Sequence, residues 1–179
     1  MSARIIILTG QRESGKTTVC QKTVTRAREA GYSCGGILTS APDKDTRDVI
    51  DIRSNTTRRL TLPQDTPGGI QVGRFVFDPQ VIKWGNNALA NAVPTQLLII
   101  DEIGPLELKQ KSGWTKAFSI LHSGHFCLAL VIVRPELVMH AQIKMPANAM
   151  TVMTVTTQNR DALPDIFCDV IAKDIKPCE

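Results

Sequence analysis

The chain has 179 residues, enough for one domain with a modest insertion and too short for two independent cores. Hydrophobic residues make up 42% and charged residues 21%, a globular balance that excludes disordered and fibrous classes. Aromatics at 4% and a net charge of +4 suit an anionic ligand, not the stacked rings and basic tract of a nucleic-acid binder.

In chain order, Ile5 to Leu8 is a short apolar strand broken by Gly10, too short for a signal segment. With no stretch approaching a membrane span, the expectation is a cytoplasmic protein with no membrane partner. Lys16 to Ala30 follows as a helix, with Val19, Cys20, Thr23, Val24 and Ala27 on one face and Gly31 as its stop. Residues 34 to 77 hold short β-prone pieces (Gly36 to Thr39, Asp48 to Arg53, Arg59 to Leu62, Arg74 to Phe77) between turn-rich segments. They read as an insertion of antiparallel strands extending the main sheet within a single domain, 1–179. Asp78-Pro79 is an N-cap and first-turn proline, opening a helix through Val81, Ile82, Ala88, Leu89 and Ala92.

Leu97 to Ile100 and Cys127 to Val133 are continuous apolar runs, and Val152 to Thr156 is a more polar strand. Continuous rather than alternating runs imply parallel strands covered on both faces. A helix around Trp114, Ala117, Phe118 and Leu121 ends near Gly124, a weaker one follows Pro135, and Leu163 to Ile171 carries the last. The fold class is therefore α/β: a three-layer sandwich, mostly parallel, with helices on both faces and extra antiparallel strands. The five cysteines, Cys20, Cys34, Cys127, Cys168 and Cys178, are odd in number and lack ligand spacing, so they read as reduced thiols.

Residues 10 to 17 read GQRESGKT, a full match to the phosphate-loop pattern, with Thr18 following. The motif lies between a buried strand and an amphipathic helix, where backbone N–H groups converge on phosphate at the positive helix end. Gly10, Gln11, Arg12, Glu13, Ser14, Gly15, Lys16, Thr17 and Thr18 are thus candidate nucleotide-binding residues. Lys16 suits the β- and γ-phosphates and is a candidate catalytic cation; Thr17 suits Mg²⁺. Arg12 could reach a phosphate or the ribose and Glu13 could orient Lys16 or a water, the alternative for both being that they point to solvent.

Leu97 to Ile100 ends in Asp101-Glu102, an apolar strand closing on paired carboxylates. Asp101 is a candidate metal residue beside Thr17, and Glu102 a candidate general base or water positioner. Asp101 to Gly104 also fits the D-x-x-G pattern of GTPase switches. The matching Asn-Lys-x-Asp is absent, its nearest echo being Asn159-Arg160-Asp161.

Ligands of open α/β sheets gather at the carboxyl ends of strands. Arg134, directly after Val133, is therefore a candidate charge stabiliser, with helix capping or pairing to Glu136 as its alternative. Asn159 and Arg160 either flank the base or merely begin the last helix. The histidines lack ligand spacing, and Trp84 and Trp114 read as core residues.

GQRESGKTT, GGILTS, VGRFVFDPQVIKWGNNAL, DEIGPLEL followed by GW, VIVRPEL and VTTQNRDALP resemble, in that order, the small P-loop nucleoside-triphosphatase family. The resemblance implies Mg²⁺-dependent hydrolysis of several nucleoside triphosphates, with Gly10 to Thr18 on phosphate and Asp101 and Glu102 on metal and water. Glu13 and Arg134-Pro135 depart from the family pattern. Rival readings are a small-molecule or nucleotide kinase, with Arg53, Arg58 and Arg59 as lid, and a nucleotide-operated adaptor.

Overall fold

The computed structural model describes residues 3–147 and 150–175. A seven-stranded sheet is built from β1 (Arg4–Thr9), β2 (Cys34–Ser40), β3 (Asp48–Asp51), β4 (Thr56–Arg59), β8 (Thr95–Ile103), β9 (Phe126–Val133) and β10 (Met150–Thr154). Its order is β10-β1-β9-β8-β2-β3-β4. The first five strands of that row pair in parallel, and β3 and β4 add an antiparallel edge.

Two apolar layers explain why the central strands read as continuous hydrophobic runs. Ile5, Ile7, Leu98, Ile100, Ala129, Val131 and Val133 point to one layer. There they meet Val81, Ile82 and Leu89 of α2 (Pro79–Ala90) and Ala117, Ile120 and Leu121 of α4 (Lys116–Ser123). Their neighbours Ile6, Leu8, Leu97, Ile99, Leu128, Leu130 and Ile132 point to the other layer. It is closed by Val19, Cys20, Val24 and Ala27 of α1 (Lys16–Glu29) and by Leu163, Phe167 and Ile171 of α6 (Leu163–Ile175). Each Val, Leu, Ile or Phe side chain among them is worth about 1.5–3 kcal/mol when fully buried, so the strands that carry the site stand on a well-packed core.

Helix entry follows local chemistry. Asp78 Oδ1 accepts the Gln80 N–H at 2.8 Å, and Pro79 occupies the first turn. Two short helices complete the set, α3 (Pro105–Lys109) and α5 (Val138–Ile143), the latter preceded by a 3₁₀ turn at Pro135–Leu137. No helix among the described residues is long and apolar enough to cross a membrane.

The structure corrects the reading of residues 34 to 77 in two respects. Strand β2 is parallel, paired to β8, because the chain returns to the sheet through α1. Only β3 and β4 extend the main sheet. Strands β5 (Thr61–Leu62), β6 (Ile70–Val72) and β7 (Phe75–Phe77) form a separate three-stranded sheet, in order β5-β7-β6. Strand β10 also begins two residues before the expected Val152 and is an edge strand with mostly exposed side chains. Cys20, Cys34 and Cys127 are buried thiols and Cys168 a half-buried one; Cys178 lies outside the described residues.

Candidate functional site

Strand β1 and helix α1 are joined by Gly10 to Gly15, and both glycines are required there. Gly10 has φ +136°, and a Cβ on it would sit 2.5 Å from the Val155 carbonyl oxygen. Gly15 has φ +100°, and a Cβ on it would press within 3.1 Å of Arg160 Cδ. The loop thus wraps closely while β1 is held beside β10, where Val155 N–H donates to the Thr9 carbonyl at 2.8 Å.

The Lys16 ammonium folds back into the loop, donating to the carbonyls of Gly10 at 2.9 Å and Gln11 at 2.8 Å. Burial pulls its pKa below the ordinary value, while the Glu102 and Asp101 carboxylates act in the opposite direction. Ser14 Oγ is buried inside the loop with no hydrogen-bond partner. Such an orphan hydroxyl costs free energy until a ligand accepts from it. Arg12 and Glu13 are exposed and face each other at 3.9 Å. Gln11 and Thr18 are exposed as well.

Across from the loop, Asp101 is 3% exposed near the end of β8. Its Oδ2 accepts the Thr17 hydroxyl at 2.9 Å and the Thr39 N–H at 3.3 Å. The Thr39 hydroxyl in turn donates to the Asp101 carbonyl at 2.5 Å. Burial, reinforced by the neighbouring Glu102 charge, raises the Asp101 carboxyl to about 7, against the pull of Thr17, Thr39 and Lys16. The Asp101–Glu102 peptide bond is cis. Thr17 and Asp101 offer hard oxygen donors only, within one hydrogen bond of each other, which is the donor chemistry Mg²⁺ takes.

Strand order brings Arg134 to the same place. Because β9 lies between β1 and β8, the residue after Val133 stands between the phosphate loop and Glu102. Arg134 Nε donates to Glu102 Oε1 at 2.6 Å. The alternative partner, Glu136, does not hold it. The structure also separates the two residues of the Asn159-Arg160 pair. Asn159 is spent on its own turn: Oδ1 accepts from Thr156 N–H at 2.9 Å, and Nδ2 donates to the Thr154 carbonyl at 2.9 Å. Arg160 instead lies over Gly15 and lines a cavity of about 210 Å³ with Thr18, Val19, Lys22 and Asp161. Asp161, on the same cavity, is paired with Lys22, whose Nζ donates to its Oδ1 at 2.9 Å.

Arg53, Arg58 and Arg59 are engaged elsewhere. Arg53 donates to the carbonyls of Ala92 and Pro94 at 3.1 and 2.9 Å, Arg58 stacks on Trp84 at 4.9 Å, and Arg59 pairs with Asp48. Trp114 is buried, Trp84 half-buried, and the three histidines are exposed.

One residue near this rim that the sequence patterns did not single out is Glu107. It is 5% exposed, accepting the Gly104 N–H and the Trp114 N–H at 2.8 Å each. Burial raises its pKa, and the two backbone donors oppose that rise. The signal was present: a Glu three residues after the helix-opening Gly104 is the reach-back carboxylate of a capping box. Glu107 thereby fastens the turn that follows Glu102 at the end of β8. Gln offers only one acceptor oxygen for two buried donors. Glu107→Gln is expected to lose about 1–3 kcal/mol, read as a shifted urea midpoint at unchanged slope.

A family model described as NTPase matches residues 5–167. This chain belongs to the NTPase family. It is 31% identical over 164 residues to the nucleoside-triphosphatase THEP1 of Methanosarcina acetivorans, covering 89% of this NTPase and 92% of that relative. Thermofilum pendens THEP1 is 30% identical over 177 residues, with 96% and 97% covered. Among solved structures, a human cancer-related nucleoside triphosphatase aligns at TM-score 0.70 and 25% identity, over 98% of this NTPase and all of that chain. THEP1 of Aquifex aeolicus, at 20% identity and TM-score 0.71 over 93% of this NTPase and 98% of its own chain, shares the fold.

Proposed function

We propose that this NTPase hydrolyses the terminal anhydride of nucleoside triphosphates, ATP and GTP among them, to diphosphate and phosphate with Mg²⁺ as cofactor. The convergence of Lys16, the Thr17–Asp101 pair and the Glu102–Arg134 pair at one sheet rim carries this reading. The loop from Gly10 to Thr18 wraps the phosphates through its N–H groups. Lys16 exchanges its two carbonyl partners for β- and γ-phosphate oxygens, and the unpartnered Ser14 hydroxyl donates to another. Thr17 and Asp101 would hold Mg²⁺, which when bound neutralises charge on the terminal phosphates.

Glu102 orients a water and takes its proton as the oxygen–phosphorus bond forms and the bridging oxygen leaves with the diphosphate. Arg134 holds that carboxylate in place and presents the rest of its guanidinium to the charge spreading over the transferred group. Because such a transition state needs positioning and charge neutralisation above covalent chemistry, this set suffices for modest turnover. Arg160 flanks the nucleoside beside Gly15, and Asn159 acts through the turn that carries Arg160. In this reading the whole chain works as one cytoplasmic domain, in keeping with its buried thiols.

The test is steady-state phosphate release from ATP and GTP, with and without Mg²⁺. With Asn159 spent on its turn and Asp161 paired to Lys22, kcat/KM for the two substrates is expected to agree within a hundredfold. A larger ratio, above about 2.7 kcal/mol, requires base-edge hydrogen bonds that a buried reader would make. Absence of Mg²⁺-dependent release from either substrate would sink the proposal.

A further inference from the structure

The separate small sheet presents a group of side chains that hydrolysis does not use. Strand β2 delivers Thr39 to Asp101, and residues 41 to 47 continue from that same rim. This turn is pinned: Asp43 Oδ1 accepts from the N–H groups of Asp45 and Thr46 at 2.8 Å each. Arg47 is fastened to the head of β5, its N–H donating to Thr61 Oγ1 at 3.1 Å and its carbonyl accepting from Leu60 N–H at 2.8 Å. On the facing hairpin, Gln64 Nε2 donates to the Arg74 carbonyl at 2.7 Å, and the Arg74 guanidinium donates to the Lys44 carbonyl.

These ties bring two guanidiniums onto one ring, with Arg47 Cζ 4.5 Å and Arg74 Cζ 4.9 Å from the Phe75 centroid. Beside the ring lies a cavity of about 190 Å³ lined by Asp45, Leu62, Gln64, Arg74, Phe75 and Val76. Its apolar surfaces are Leu62, Phe75 and Val76, and its polar edge carries the Gln64 amide, the Asp45 carboxylate and the Arg74 guanidinium. Arg74 has Asp45 at 3.7 Å, whereas Arg47 has no carboxylate within salt-bridge distance among the described residues. The Arg47 guanidinium spends one nitrogen on the carbonyls of Asp43 and Thr46 and keeps the rest of its fork. Burial, then the Arg74 and Arg12 charges, pull the Arg47 pKa down, while the Asp43 and Asp45 carboxylates act in the opposite direction.

An apolar, ring-walled pocket with an amide and a carboxylate at its edge suits a planar base, and an unpaired guanidinium fork suits a phosphate. The geometry points to a second ligand site on the small sheet for a nucleoside monophosphate, its base in the cavity beside Phe75 and its phosphate on Arg47. This site is separate from the phosphate loop and stands whether or not the proposed hydrolysis does.

The test is calorimetric titration of AMP into protein already saturated with Mg²⁺·ADP, which fills the phosphate loop. One saturable site that persists in excess ADP is expected, and adenosine and inorganic phosphate, each holding half of the ligand, should each bind at least tenfold more weakly than AMP. Arg47→Gln should weaken AMP at least tenfold while leaving kcat and KM for ATP within twofold when AMP is absent. Arg47→Lys, which keeps the charge and loses the fork, should fall between. Lys16→Ala should leave AMP affinity unchanged, which separates this site from the triphosphate site. Displacement of AMP by ADP, AMP affinity unaltered in folded Arg47→Gln, or no AMP binding at millimolar concentration would each overturn the assignment.

Discussion

Lys16→Ala should abolish measurable turnover, a loss on the order of 10² to 10³ or more in kcat, and should weaken triphosphate binding in parallel. The ammonium lies inside the loop, and its present partners are two carbonyls that, in the proposed reading, phosphate oxygens would replace. Alanine leaves the charge of the terminal phosphates uncompensated at the point where the transition state gathers it. The fold should persist, because the side chain points into the loop and the packing of α1 rests on Val19, Cys20, Val24 and Ala27. Phosphate release, equilibrium binding of a fluorescent nucleotide and circular dichroism together decide the matter. Near wild-type release from a folded variant would remove the phosphate-loop assignment.

Glu102→Gln and Asp101→Asn should fail in different ways although the residues are adjacent. Glu102→Gln preserves shape but removes the carboxylate proposed to orient water, so kcat should drop by roughly 10² to 10⁴. Binding of Mg²⁺·ATP should stay within a fewfold of wild type, because Lys16, Thr17 and Asp101 are untouched. Asp101→Asn keeps an oxygen for the Thr17 hydroxyl but removes the buried charge. Its signature should be a higher Mg²⁺ requirement, with turnover partly recovered at saturating metal. Titrating Mg²⁺ at fixed ATP in both variants separates them. If Glu102→Gln hydrolyses normally, the base must be sought elsewhere. Glu107 is a poor replacement, since both its oxygens already hold backbone N–H groups.

Much of this protein is written in short-range pattern. Unbroken runs such as Ile5 to Leu8 and Cys127 to Val133 require cover on both faces, and neighbouring residues do alternate between two apolar layers. The phosphate loop and the Asp78-Pro79 helix start are equally local, because spacing along the chain sets a backbone turn or a cap directly. What the sequence left open depends on residues far apart in it. Arg134 meets Glu102, 32 positions away, only because β9 is inserted between β1 and β8. Asn159 could either flank a base or begin the last helix, and only the folded turn after β10 shows its amide bound to Thr154 and Thr156. Residues 61 to 77 were equally ready to extend the main sheet, since a two- or three-residue strand has too little period to name its partner. Tertiary packing chose a separate small sheet, and with it the pairing of Arg47 and Arg74 on Phe75. Period and capping act over a few residues, whereas the partners of a charged side chain are set by strand order, which only the folded core decides.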